Sequence, residues 1–170
     1  IIIPVYNDPK GLDDTLASLV KQDYSKYEYE IIVADNGSTD NTIQVVREYV
    51  RDWPNLVQIV IEDKIQSSYA ARNRGVEAAR GEIISFVDAD MTVKPTWLRQ
   101  IHKVFENQPH DYVACNVRMY STRKSAASLY NILTDLNIKN FMEKGHYAAT
   151  CSLSVRKEVF DLIGTFDGRL

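Results

Sequence analysis

The chain has 170 residues, 45% hydrophobic and 25% charged, with a formal net charge of −3; that is enough for one globular domain with a sizeable core. The slightly acidic balance offers no basic footprint to a phosphate backbone and contains no long run of like charges, which argues against nucleic acid as a partner. Cys115 and Cys151 are the only cysteines, too few for a disulfide framework and without metal-ligand spacing, so a reducing compartment and no redox role are expected.

No apolar stretch approaches the roughly 20 residues that cross a bilayer, and the start lacks a charged-then-apolar signal segment. The expectation is a soluble stretch with no membrane segment, located in the cytoplasm or at the cytoplasmic face of a membrane. The chain opens on "IIIPVYN" without Met and closes on "GTFDGRL", a turn followed by nothing, which reads as a fragment.

Along the chain, short apolar runs alternate with helical spacing, the pattern of an α/β fold with an open, mostly parallel twisted sheet covered by helices on both faces. "IIIPVYN" is a continuous apolar run suited to a strand buried on both sides, and Leu12, Leu16, Leu19 and Val20 follow on one helical face. "YEIIVAD" repeats the strand; the polar cluster Asn36 to Asn41 turns the chain into a helix lined by Ile43, Val46, Tyr49 and Val50, which Pro54 stops. "LVQIVIE" reads as a third strand. A third helix runs from about Ser68 to Arg80, with Gly81 where a left-handed cap would sit. "EIISFVDAD" is the fourth strand, and Pro95 fits the first turn of a helix carrying Trp97, Ile101, Val104 and Phe105. "DYVACNV" is a fifth strand; Leu129, Ile132, Leu133 and Leu136 predict another helix. "YAATCSLSV" reads as a strand or extended loop, and Val159, Phe160 and Ile163 as a short helix capped by Gly164.

In open α/β sheets, ligands collect beyond the carboxyl ends of the strands. The first strand ends in Tyr6, Asn7 and Asp8, the second in Asp35, the fourth in Asp88 and Asp90. The rim is therefore acidic. The first turn, "YNDPKGL", has one glycine and is not the dinucleotide fingerprint, which directs the reading to a nucleotide other than NAD. Two carboxylates at alternate positions of an extended chain point the same way, unless the strand has already turned into a loop there, and their repulsion needs compensation. Mg²⁺ or Mn²⁺ supplies it, since these hard cations take one or two carboxylates and complete their shell with water and substrate phosphates. A lone strand-end aspartate more often caps the next helix or turn; the pair, with Asp35 on the same rim, favours the metal.

The blocks "IIIPVYND", "EIIVADNGSTDNT", "YAARNRGVEAARGEIISFVDAD" and "SVRKEVFDLIGTFD" resemble, in that order, those of the family 2 inverting glycosyltransferases, which have the nucleotide-diphospho-sugar transferase (GT-A) fold. The resemblance covers nearly the whole chain. It implies that Pro4 and Tyr6 frame the nucleoside pocket, that Asp35 accepts a hydrogen bond from the base, and that Arg72 lies near the nucleotide. It also implies that Asp88 lies near ribose or metal and that Asp90 ligates the cation bridging the diphosphate. The implied activity is transfer of a sugar from a nucleotide-diphosphate sugar, a UDP-sugar, to a saccharide or lipid-linked hydroxyl, as in polysaccharide or glycoconjugate synthesis. Residues 1–90 would be the nucleotide-binding half and 91–170 the start of the acceptor-side half of a single domain. Where the family often has a glycine-containing turn before "ARN", this chain has "KIQSSYAARN". Family members usually carry an acidic pair shortly after the "GTFD"-like block, one of which is the general base; the base is therefore expected beyond Leu170, and Asp167 is not assigned that role.

Other candidates have plainer readings. His102 and His110 are read as surface residues, His146 as approaching the acceptor side, Arg74 as a solvated helix charge and Trp97 as core. "SAASLYNILTDLNIKNFMEK" is amphipathic, and packing is its default role. A rival from another enzyme class exists. "VDADMT" also resembles the motif of haloacid-dehalogenase-type phosphatases, with Asp88 as nucleophile and Asp90 as acid/base. That motif lies near the start of its catalytic domain, whereas here three β-α units precede it, and no adjacent acidic pair occurs between Met91 and Leu170. A nucleotide-sugar-binding domain without turnover is the non-enzyme reading.

Overall fold

The computed structural model describes residues 1–121, 125–126, 130 and 148–168. Strands β1 (Ile2–Val5), β2 (Ile31–Asp35) and β3 (Val57–Ile61) pair in parallel, with Ile2 opposite Ile32 and Ile31 opposite Val57. β4 (Ile83–Ser85) joins the other side of β1 through a parallel bridge between Ile2 and Phe86. β6 (Leu153–Arg156) pairs antiparallel with both β4 and β5 (Tyr112–Ala114). The order is therefore β3-β2-β1-β4-β6-β5, and among the described strands β6 alone runs against the rest. The mostly parallel sheet expected from the sequence is present, with this one reversal.

Alternation along the central strands feeds two cores, as the period of 2 requires. Ile1, Ile3 and Val5 of the first segment, with Ile31 and Val33, pack with Leu12, Leu16 and Leu19 of α1 (Pro9–Leu19), Val46 of α2 (Thr42–Asp52) and Leu98 of α4 (Trp97–Asn107). Ile2 and Ile32 face the opposite side, against Val76 of α3 (Ser68–Ala78) and Phe86, with Phe160 of α5 (Lys157–Ile163) alongside. Small residues bring α3 close: a Cβ at Gly75 would fall far inside van der Waals contact of Ile2 Cγ2.

Three sequence expectations shift. Gly81 is not a left-handed cap, because α3 stops earlier with Ala79 extended (φ −73°, ψ 137°). The freed backbone groups are satisfied from elsewhere: Arg80 N–H donates to Glu30 Oε1 at 2.7 Å and the Lys157 ammonium donates to Ala79 O. Pro95 precedes the Thr96 N-cap instead of opening α4, and its carbonyl is taken by Asp23 N–H at 2.7 Å. The core face of α4 is Leu98, Ile101 and Phe105, with Val104 exposed. Gly164 does cap α5 at φ 84°. The helix predicted from Leu129 to Leu136, and His146, lie outside the described residues.

Candidate functional site

β1 leads outward through β2 to β3, and the chain then returns to β4 on the other side of β1. The strand order reverses between β1 and β4, which is where open α/β sheets form their ligand crevice. Pro4 belongs to this opening. The carbonyls of Ile1 and Val5 accept from β2, at Ile32 and Asn36 N–H, while Ile2 O accepts from Val87 N–H at 3.1 Å. Pro4 shares the parity of Ile2, so its missing N–H falls on the β4 side, beyond the bridge, where no ladder bond is lost. Two residues on, Tyr6 is 48% exposed at the lip.

Asp35 ends β2 and is fully buried. Its Oδ2 accepts from the N–H groups of Gly37 at 3.1 Å and Ser38 at 3.0 Å. Gly37 makes this curl possible with φ +76°, a backbone state that costs glycine no Cβ clash. The other oxygen, Oδ1, is buried and has no hydrogen-bond partner among the described residues. Such a group is costly to leave unpaired. The loop around it is laced to its neighbours. Asn36 Nδ2 donates to Glu62 O at 3.1 Å and Ile65 O at 2.8 Å, while Asn7, in the left-handed region at φ 51°, takes Thr39 N–H on its Oδ1 at 2.8 Å.

The Asp88–Asp90 pair does not lie on an extended chain. β4 has ended, and Asp88 O accepts Met91 N–H at 3.2 Å in a turn. Arg72 Nη2 donates to Asp88 Oδ1 at 2.8 Å, and the Arg72 side chain is only 11% exposed. Part of the carboxylate repulsion that sequence reasoning gave wholly to a cation is therefore offset by this guanidinium. Asp90 is exposed, and none of the described residues hydrogen-bonds or ion-pairs with it. Arg72 Nε is buried and unpartnered among the described residues. No cluster of three or more His, Cys, Asp or Glu that could hold a metal occurs among the described residues. One committed and one open carboxylate suit Mg²⁺ or Mn²⁺, which draw the rest of their shell from water and phosphate, and do not suit a metal that needs an all-protein cage.

The turn and the segment after it are held from behind by α1 and the residues that follow it. The Thr15 hydroxyl, fully buried, lies 2.8 Å from Ala89 O and 2.9 Å from Gly11 O; Ser18 Oγ accepts Val93 N–H at 3.2 Å, and Gln22 Nε2 donates to Lys94 O at 2.9 Å. Asp8, an acid on the rim by sequence, is the α1 cap, its Oδ1 accepting Gly11 N–H at 2.9 Å. Cys151 is buried near the pair, and burial, then the charge of Asp88, push its thiol pKa up. Sequence reading missed Thr15, Ser18 and Gln22. Their signal was available: polar residues three and four apart, Thr15 and Ser18 in the first helix and Gln22 just past its end. His102 and Arg74 lie on the surface as expected, Arg74 pairing with Glu77 at 3.0 Å, and Trp97 packs against the core.

The mostly parallel sheet, whose strand order reverses between β1 and β4, is shared with nucleotide-sugar transferases of known structure. The structure superposes on the Mannosyltransferase PcManGT from Pyrobaculum calidifontis, in complex with GDP-Man and Mn²⁺, with a TM-score of 0.77 at 24% identity, over 98% of this chain and 46% of that one. It superposes on S. aureus TarS 1–349 in complex with UDP with a TM-score of 0.78 at 24% identity, over 99% and 50%. The chain belongs to glycosyl transferase family 2, whose model matches residues 1–164. It is 36% identical to the glycosyltransferase AglE of Haloferax volcanii over 100% of this chain and 56% of that protein. It is 31% identical to the poly(ribitol-phosphate) beta-N-acetylglucosaminyltransferase TarS of Staphylococcus aureus, over 76% of this chain and 22% of TarS. The chain thus spans about half the length of AglE and less of TarS. Membership of this family speaks against the phosphatase reading of Asp88 and Asp90. No helix among the described residues is long and apolar enough to cross a membrane.

Proposed function

We propose that this chain carries the donor side of a glycosyltransferase that moves a sugar from a UDP-sugar to an acceptor hydroxyl with inversion, assisted by Mn²⁺ or Mg²⁺. The observation that carries the proposal is Asp35 Oδ1, a buried carboxylate oxygen at the carboxyl end of β2 that has no hydrogen-bond donor among the described residues. Uracil presents one ring N–H between two carbonyls, and a carboxylate acceptor completes it. The sugar nucleotides bound by PcManGT and TarS support the class of ligand.

In this reading Tyr6 and Pro4 wall the nucleoside pocket, Asp35 takes the base N–H, and Arg72 holds Asp88 beside the ribose and diphosphate. Asp90 is the ligand open to the cation, and Asp88 stands next to it. The cation, when bound, stabilises the negative charge that develops on the leaving diphosphate. An in-line attack by the acceptor hydroxyl inverts the anomeric centre and needs a carboxylate to take the proton. Residues 1–90 form the nucleotide-binding half and 91–170 begin the acceptor-side half, with the base in the sequence that follows the Gly164–Asp167 block in the family. Calorimetric titration with UDP, with Mn²⁺ and with EDTA, tests the proposal. Saturable binding strengthened by the metal is expected. Equal affinity in both conditions removes the metal, and no binding of UDP removes the function.

A further inference from the structure

Asn73 follows Arg72 on α3, and consecutive helical side chains diverge by about 100°. Arg72 therefore reaches Asp88 while Asn73 reaches a different part of the molecule. Its Nδ2 donates to Phe166 O at 2.9 Å, and its Oδ1 accepts Phe166 N–H at 2.9 Å, across 93 residues of sequence. This two-way bond replaces a strand neighbour for Phe166, fixing both backbone groups of one residue with a single rigid amide. The Phe166 ring then packs edge-on against Phe86 at 5.3 Å, two residues before Asp88, and against Phe160 at 6.1 Å. Just beyond, a Cβ at Gly168 would lie 2.9 Å from the Tyr69 ring, so the chain runs tightly along the first turn of α3. One turn and a half of α3 thus ties together the Asp88 side of the rim and the "GTFD" block.

On the donor-side reading proposed above, we infer that Asn73 is a positioning residue for transfer: it holds Phe166, and with it the segment leading into the acceptor side, at a set distance from the Arg72–Asp88 pair. Asn73 touches no donor group itself. Its loss moves the acceptor side relative to the donor and leaves the nucleotide pocket in place.

The experiment uses the protein expressed from its full reading frame, with UDP as the binding probe, a UDP-sugar with acceptor for transfer, and hydrogen exchange at the Phe166 amide. For Asn73→Ala, UDP affinity stays within about twofold while kcat falls roughly 10- to 100-fold, the scale of a misplacement near 1 Å. Phe166 exchange accelerates in parallel. Asn73→Asp gives a readout that a merely structural role does not move. Its carboxylate still accepts Phe166 N–H but opposes Phe166 O, and protonation restores the donor; its transfer rate relative to wild type therefore rises as pH falls toward the carboxyl range near 4. Equal loss of UDP affinity and transfer in Asn73→Ala, unchanged transfer, or a pH-independent ratio for Asn73→Asp overturns the inference. Should Asn73→Ala not fold, the Asn73→Asp ratio decides alone. If the wild type binds no UDP, the donor reading fails by itself, and unchanged Phe166 exchange in Asn73→Ala then refutes the positioning role separately.

Discussion

Replacing Asp35 with Asn changes one charge and one buried atom while keeping the side-chain shape. The amide oxygen must stay where Oδ2 is, because Gly37 and Ser38 N–H donate to it at 3.1 and 3.0 Å. The NH₂ group then occupies the place of Oδ1, which has no partner among the described residues. A uracil N–H arriving there meets a donor instead of an acceptor. Loss of a hydrogen bond to a charged group is worth about 1.5–3 kcal/mol, which at 1.4 kcal/mol per tenfold weakens UDP binding by roughly 10- to 150-fold. Stability should hardly follow. The wild type buries an oxygen that has no donor among the described residues, and an amide there offsets the weaker acceptance at the Gly37 and Ser38 N–H groups, for a net change within about 1 kcal/mol. Calorimetry with UDP and thermal melting of the same variant separate the two quantities. Unchanged UDP affinity in a normally folded Asp35→Asn protein refutes the assignment, and so does an affinity loss matched by an equal loss of stability, which would make Asp35 a loop anchor only.

Three further outcomes test the rim and the scaffold. Asp90→Asn should weaken the Mn²⁺-dependent part of UDP binding far more than Asp88→Asn, since Asp88 already faces Arg72 at 2.8 Å and Asp90 faces solvent; calorimetry at several Mn²⁺ concentrations reads the order, and the reverse order removes Asp90 as the metal ligand. Gly75→Ala should lower stability by about 1–3 kcal/mol through overpacking against buried Ile2, seen as a lower urea midpoint; a neutral result means α3 shifts freely. Burial alone would raise the Glu30 carboxyl, but the Arg80 backbone N–H and guanidinium outweigh it and hold the pKa below its ordinary 4.5. A lowered folded pKa contributes stability above that ordinary value and loses it as pH falls through the folded one. Glu30→Gln should therefore lower the melting temperature at neutral pH and converge on wild type in acid; a gap that persists in acid points to packing and not charge.

Much of this protein is readable from local sequence, and the reason is periodicity. "IIIPV" and "IIVA" are short, β-branched apolar runs without a polar face, which suits strands covered on both sides, and leucines three and four apart suit a helix on one of those faces. The acids that follow such runs must then lie on the carboxyl rim, which is why the sequence alone puts Asp35, Asp88 and Asp90 there. Element ends were less readable. Gly81 looked like a cap because the sequence does not show that Lys157 and Glu30, distant in the chain, satisfy the end of α3. The position of Pro95 differs for the same reason, its carbonyl being engaged by Asp23 in the segment after α1.

What only the tertiary structure decided is which partner each charged or polar group finds. Nothing local to "DAD" says that Arg72 pairs with Asp88, that one oxygen of Asp35 has no partner among the described residues, or that Asn73 holds Phe166 across 93 residues. The reversal of β6 is of the same kind, since the direction of a strand depends on what it pairs with and not on its own residues. Hydrophobic pattern is a property of consecutive residues and survives in the sequence alone. Pairing of charges and amides is a property of positions in space, set once helices such as α3 have packed closely enough on the sheet to bring distant blocks together.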